Sequence, residues 1–190
     1  MPRERRYGRA VDGPSRRLAP IDRQHVLPDV LEPGLRIVFC GTAAGAVAAR
    51  VGAPYAGPGN RFWWVLHEVG LTPRELQPAE FRALPRYGLG LTDVAKYTSG
   101  PDASLVRPDF DGAAVLAKVE RYAPGILAFV GKRAAREVLG GPVAYGRQDL
   151  RVGVSDVWVV PSTSGAARGS WDVRPWHDLA QGSGRPSQSS

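Results

Sequence analysis

The groups in this chain that could do chemistry fall in four short stretches. Gly41-Thr42-Ala43-Ala44-Gly45 follows an apolar run, Leu35-Arg36-Ile37-Val38-Phe39-Cys40. A buried strand that opens into a side-chain-poor loop leaves room for a flat ligand beside backbone N–H donors. Small side chains permit that close approach. Pro58-Gly59-Asn60-Arg61-Phe62-Trp63 comes next, then Gly90-Leu91-Thr92-Asp93, then Pro161-Ser162-Thr163-Ser164-Gly165-Ala166-Ala167-Arg168. Asn60 suits the N-cap of the helix that follows it. Asp93 ends a strand, where the sites of open α/β sheets collect, although a carboxylate there can equally cap a helix or pair with an arginine.

Other chemistries fit poorly. His25, His67 and His177 are scattered and Cys40 stands alone, so no metal-ligand spacing appears, and neither a metal nor a cofactor is expected. Gly41 and Gly45 lack the glycine spacing of a dinucleotide fold, and no acidic residue follows at a second strand end. Cys40 sits inside an apolar strand and reads as a small core residue. A single cysteine excludes a disulfide framework and fits a reducing cytosol.

The 190 residues carry a net charge of +7 and a sequence pI of about 10.1, which suits a polyanionic partner. The same charge also suits an ordinary basic protein rich in Arg, Gly, Pro and Ala. No apolar run approaches the roughly 18 residues of a membrane span, so a cytoplasmic protein without membrane contact is expected.

The elements that must position these groups alternate. Residues 1–33 read as a basic tail, with Arg3, Arg5, Arg6, Arg9, Arg16 and Arg17 among Gly, Pro and Ser. Residues 34–181 read as one domain, and 182–190 as a second disordered tail. Strands are expected at Leu35–Cys40, Leu89–Val94 and Ile126–Val130. Leu150–Val154 and Val157–Val160 read as a hairpin turning at Ser155-Asp156. Helices are expected from Asn60 to about Glu68, from Thr72-Pro73-Arg74-Glu75 in capping-box style, and over Asp111–Tyr122, Lys132–Leu139 and Asp172–Ala180. Strands separated by helices indicate a three-layer α/β/α sandwich with a mostly parallel central sheet.

Three of the four stretches together resemble the uracil-DNA glycosylase superfamily, on the side of the mismatch-specific uracil and thymine-DNA glycosylases. Gly41–Gly45 stands where that family has Gly-Ile-Asn-Pro-Gly. Asn60-Arg61-Phe62-Trp63 matches its Asn-Arg-Phe-Trp at the same distance downstream. Val160-Pro161-Ser162-Thr163-Ser164-Gly165-Ala166-Ala167-Arg168 is similar to its Pro-Ser-Ser-Ser and Asn-Pro-Ser-Gly loops. The resemblance runs from about Leu35 to Ala180, and Gly90–Asp93 and Ala128–Lys132 also fit their counterparts.

The resemblance implies a base flipped out of DNA and cleavage of its C1′–N bond. Backbone N–H groups of Gly41, Thr42, Ala43 and Ala44 would hold the base, and Phe62 would stack on it. Ser162, Thr163, Ser164 and Gly165 would lie against the DNA backbone, with Ala166, Ala167 and Arg168 at the wedge positions. Ala166 and Ala167 are small, which suits single-stranded, weakly paired or mismatched DNA. At the third position of the first motif the family typically places its water with Asn or Asp. This chain has Ala43, which can neither orient nor polarise water. Asn60 is the first candidate to replace it and Asp93 the second. No lysine nucleophile stands in the motifs, so a lyase step is not expected. The expectation is a monomeric DNA-repair glycosylase that removes uracil from single- or double-stranded DNA. A protein that binds damaged or mismatched DNA without cleaving it is the alternative. A nucleotide-binding or hydrolase domain unrelated to DNA is a weaker third.

Overall fold

The computed structural model describes residues 24–184. Expectations about the segments on either side, including the N-terminal arginines, lie outside the described residues. Five strands form one sheet in the order β2-β1-β3-β5-β4. They are β1 Ile37–Ala44, β2 Leu89–Ser99, β3 Ile126–Val130, β4 Gly146–Val152 and β5 Ser155–Val160. Four run parallel and β4 pairs antiparallel to β5. The helices are α1 Ala46–Val51, α2 Phe62–Glu68, α3 Gly112–Tyr122, α4 Lys132–Leu139 and α5 Arg174–Gly182.

Both faces of the sheet are covered. Ile37, Phe39, Leu89, Leu91, Ile126 and Ala128 pack against Val65 and Leu66 of α2 and Trp176 and Leu179 of α5. Cys40, Leu127 and Phe129 pack on the other face against Val115 and Val119 of α3 and Ala134 and Ala135 of α4. Alternation along each strand sends successive side chains to opposite layers, which is why these strands read as continuous apolar runs. The result is the three-layer α/β/α sandwich expected from the sequence.

Several elements depart from expectation. β1 does not break at Gly41: it continues through Ala44, pairing Gly41 with Asp93 and Ala43 with Ala95. No helix opens at Thr72. Thr72 Oγ1 donates to the Arg74 carbonyl instead (2.8 Å), and a 3-10 helix begins at Pro78. Glu80 accepts from the Gln77 N–H and from both terminal nitrogens of Arg74, so its carboxyl falls to about 2, with the Arg74 hydrogen bond the main cause. The expected capping box at Thr72 and Glu75 does not form; the pair that does is Gln77 and Glu80, at the start of the 3-10 helix. The hairpin turns at Gly153-Val154 rather than Ser155-Asp156.

The expected N-terminal boundary is corrected too. Residues 24–33 are not a tail, since Val30 bridges Leu91 and the Val26 N–H donates to the Lys96 carbonyl (2.8 Å). Leu27 and Val30 are buried. This segment covers the exposed edge of β2, a common way to protect an edge strand.

Candidate active site

The chain leaves β1 for β2 on one side and later returns to β3 on the other, so β1 and β3 flank a topological switch point. Open α/β sheets bind ligands at such points, beyond the carboxyl ends of the strands. A cleft of about 580 Å³ lies there. Pairing of β1 with β3 stops at Cys40–Phe129, whereas pairing with β2 runs on to Ala43–Ala95. Gly41 to Ala44 therefore keep a sheet neighbour on one side and border the cleft on the other. A strand edge holds backbone donors more firmly than the loop expected from the sequence.

Three connections fix the opposite wall. β5 ends at Val160, and Ser162–Ala167 follow it along the cleft. The Trp176 indole N–H donates to the Pro161 carbonyl (3.2 Å), anchoring the loop to α5. The Arg61 N–H donates to the Thr163 carbonyl (2.9 Å), clipping the loop to the start of α2. A Cβ on Gly165 would lie 2.9 Å from the Pro58 carbonyl oxygen, so only glycine fits that approach. Ser162 Oγ accepts from the Ser164 N–H and Ser164 Oγ from the Ala166 N–H, both at 3.3 Å. Each hydroxyl keeps its proton available to donate.

Asn60 and Asp93 both border this cleft. Asn60 Oδ1 accepts from the Phe62 N–H at 3.0 Å. The N-cap of α2 is Arg61, one residue beyond the expected Asn60, and the bond from the Phe62 N–H fixes the Asn60 amide at the cleft wall. Asp93 stands on the floor with its side chain 17% exposed. Burial raises its carboxyl above the ordinary value, opposed mainly by the Lys96 ammonium. A Cβ on Gly41 would meet Asp93 Oδ1 at 2.6 Å and the Tyr55 hydroxyl at 3.0 Å. Glycine at 41 is what lets these two polar atoms converge.

Phe62 is corrected by the structure. Its side chain is 0% exposed, enclosed by Phe39, Trp63 and Trp176. Tyr55 lies over its face, with ring centroids 3.9 Å apart and planes at 12°. Tyr55, not Phe62, borders the cleft, and Phe62 backs it from the core. The amphipathic spacing of α2 already placed Phe62 on the apolar side. The missed residue lies in the loop before the helix, where no periodicity marks an aromatic. Its position, five residues ahead of Asn60, was the available signal.

Two buried hydroxyls at the cleft, Tyr55 Oη and Thr163 Oγ1, have no hydrogen-bond partner among the described residues, and Thr163 is 1% exposed. Buried polar groups without partners are costly unless something else satisfies them. Thr42 Oγ1 donates to Asp102 Oδ2 (3.4 Å) at the rim. Ala43 borders the cleft without a polar group. Arg168 belongs to the 3-10 turns of Gly165–Ser170; its side chain lies outside the description. Lys132 stacks over Tyr145 (4.4 Å), with no part in the cleft. Among the described residues no group of His, Cys, Asp and Glu could hold a metal ion, and no helix is long and apolar enough to cross a membrane.

The arrangement offers a slot between the Gly41–Ala44 strand edge and Tyr55, with the Asp93 carboxylate beside it. Comparison with known proteins bears on the fold and the family. The solution NMR structure of "a putative Uracil DNA glycosylase from Methanosarcina acetivorans" superposes with a TM-score of 0.55 at 20% identity. The match covers 83% of this chain and 94% of that one, a likeness of fold. The family model of the uracil DNA glycosylase superfamily matches residues 28–180, which take in β1, the cleft lining apart from Leu27, and most of α5. On that match the chain belongs to the uracil-DNA glycosylase superfamily.

Proposed function

We propose that this chain is a monofunctional DNA-repair glycosylase. It hydrolyses the N-glycosidic bond of uracil, or of a related deaminated or mispaired base, flipped out of single- or double-stranded DNA. The observation that carries this reading is the meeting of Asn60, Asp93 and the Gly41–Ala44 edge at one cleft on the switch point. The base enters against Tyr55 and its carbonyls accept from the β1 edge, which stabilises the electron pair it takes from the breaking C1′–N bond. Asn60, held by the bond from the Phe62 N–H, positions water, and Asp93 accepts the proton as water oxygen bonds to C1′. The departing base anion then takes the proton that Asp93 accepted, which returns Asp93 to its charged form, and the DNA keeps an abasic site. Ser162 to Ala167 lie where flanking phosphates pass, and the small Ala166 and Ala167 favour substrates that open cheaply.

The finer placement beside the mismatch-specific uracil and thymine glycosylases rests on the Asn60–Trp63 and Ser162–Arg168 motifs. Action as a monomer on cytoplasmic, nucleoid DNA is part of the same proposal. Ala43 favours one second reading, a protein that recognises damaged DNA without cutting it.

Strand scission by alkali after incubation with uracil-, hypoxanthine- and thymine-mismatch oligonucleotides separates the two. Abasic product that Asn60→Ala or Asp93→Ala abolishes supports the glycosylase. Tight binding without product supports the second reading. Asn60→Ala with full activity moves water placement to Asp93 alone.

A further inference from the structure

Beneath the cleft floor lies a cluster of charges that the reaction just described leaves unused. Asp29, from the segment covering β2, is met by Lys118 Nζ of α3 at 2.7 Å and by Lys96 Nζ at 2.9 Å. It also accepts from Thr92 Oγ1 at 2.9 Å. Lys96 Nζ lies 3.5 Å from Asp93 Oδ2 as well, and its side chain is only 5% exposed. Two carboxylates and two ammoniums thus balance one another, with Lys96 between the carboxylate that faces the cleft and the one that does not.

The backbone has been bent to make this contact. Alternation along a regular strand sends residues three apart to opposite faces. The β1–β2 register jumps after Ala43–Ala95 to Ala44–Ser99, so Lys96, Tyr97 and Thr98 are extra residues on β2. Irregularities of this kind re-aim side chains and gather near sites. A buried ion pair is weak evidence of stability, since apolar residues of equal volume often serve as well. The contact between Lys96 and Asp29 also lacks hydrogen-bond alignment. What this geometry supplies is positive charge beside Asp93.

We propose that Lys96 is a positioning residue: shared between Asp29 and Asp93, it keeps the Asp93 carboxylate charged and held at the cleft floor, and Asp29 sets how much of that cation Asp93 receives. This rests on the reading of Asp93 as the acceptor of the water proton. The groups around Asp93 come from five elements: Lys96 on β2, Asp29 before β1, Lys118 on α3, Cys40 on β1 and Tyr55 in the loop ahead of α2. Burial pushes the Cys40 and Tyr55 protons up, so both stay neutral near pH 7. Burial opposes the Asp93 charge most; against it stand two cations that favour the charge, while one anion adds to the opposition.

The test is the titration of the Asp93 side-chain carboxyl by carbon NMR in the full chain, with Asp93→Asn to assign the signal. Lys96→Met should move the Asp93 midpoint up by about one unit or more. Lys118→Gln should move it up by less, and Asp29→Asn should move it down. The acidic limb of single-turnover base release should follow in the same directions, and Lys96→Arg should restore it. Opposite shifts from loss of the cation and loss of the anion are the signature of charge sharing. A purely structural cluster lowers stability in all variants and leaves the midpoint in place, which overturns the proposal. Asp29→Asn and Lys118→Gln preserve shape and decide the matter even where Lys96→Met does not fold. The titration needs no activity, so a chain that never releases a base refutes the glycosylase reading separately from this one.

Discussion

The two walls of the cleft are built on different principles. The β1–β2 wall is electrostatic: Asp93 faces the ligand space, backed by Lys96, Asp29 and Lys118 in partly or wholly buried positions. The Ser162–Ala167 wall carries no charge on its described side chains and is held by the Arg61 main-chain N–H and the Trp176 indole N–H, each donating to a loop carbonyl. Chemistry on a scissile bond needs a charge fixed in a poorly solvated place, which the first wall provides. Passage of a polyanionic backbone needs small groups and hydroxyls that fit many sequences, which the second provides. Asp29 and Asp93 repeat the contrast within the first wall. Burial works against both charges; Lys96 and Lys118 outweigh it at Asp29, which falls below its ordinary value, but not at Asp93, which rises.

The largest expected break is chemical. Asp93→Asn keeps the shape and removes the proposed proton acceptor, so single-turnover base release should drop by about a hundredfold to ten-thousandfold. Unchanged binding of uracil-containing DNA would show that only the step, and not the site, was lost. A drop under threefold would remove Asp93 from the reaction.

Next comes the support beneath it. Asp29→Ala leaves Lys96 and Lys118 without their shared partner and should cost about 3 kcal/mol in denaturant melts at neutral pH. The effect should depend on pH with a definite sign. A depressed carboxyl binds fewer protons in the folded chain than in the unfolded one. The Asp29 contribution is therefore present above the ordinary carboxylate value and lost as the pH falls through the lower, folded value. The mutational cost should shrink on acidification. Asp93, raised by burial, acts with the opposite sign.

The neutral wall should answer to volume rather than charge. Gly165→Ala must displace the Pro58 carbonyl, since the added carbon would lie 2.9 Å from it. A loss of about 1–3 kcal/mol in thermal stability is expected, with DNA binding weakened and no pH dependence. A pH-dependent loss would mean that the two walls are coupled.

Tyr55→Phe sharpens the boundary between them. It removes a hydroxyl that has no partner, so stability should hold or improve, while base release falls by about tenfold if that hydroxyl bonds the base. Equal activity would leave the tyrosine as a stacking surface only. The smallest effect is expected from Ala166→Leu, which enlarges the wedge. It should raise the duplex-to-single-strand activity ratio by about twofold to fivefold.

Much of this molecule could be read along the chain. β3 and α4 match their expected bounds residue for residue, because a five-residue apolar run and a glycine-led amphipathic helix are local signals. Of the proposed site residues, Gly41–Ala44, Asn60, Asp93 and Ser162–Ala167 all come to one cleft, since strand ends fix where loops emerge. The illegible part had long-range causes. The strand continues past Gly41 because β2 pairs with it, a partner roughly 50 residues away that no local window contains. Tyr55 takes the place expected of Phe62 because the helix buries Phe62 in the layer below.

The sequence by itself determined the layers, the motif order and the absence of a polar side chain at Ala43, since each depends on residue type and local period. Only the tertiary structure decided which aromatic meets the cleft and that Lys96 lies beneath it. Residues 24–33 belong to the fold for the same reason: Asp29 reaches Lys96 and Lys118 across segments far apart in the chain. A charge pair of that kind is set by distance in space, and the spacing of letters carries no record of it.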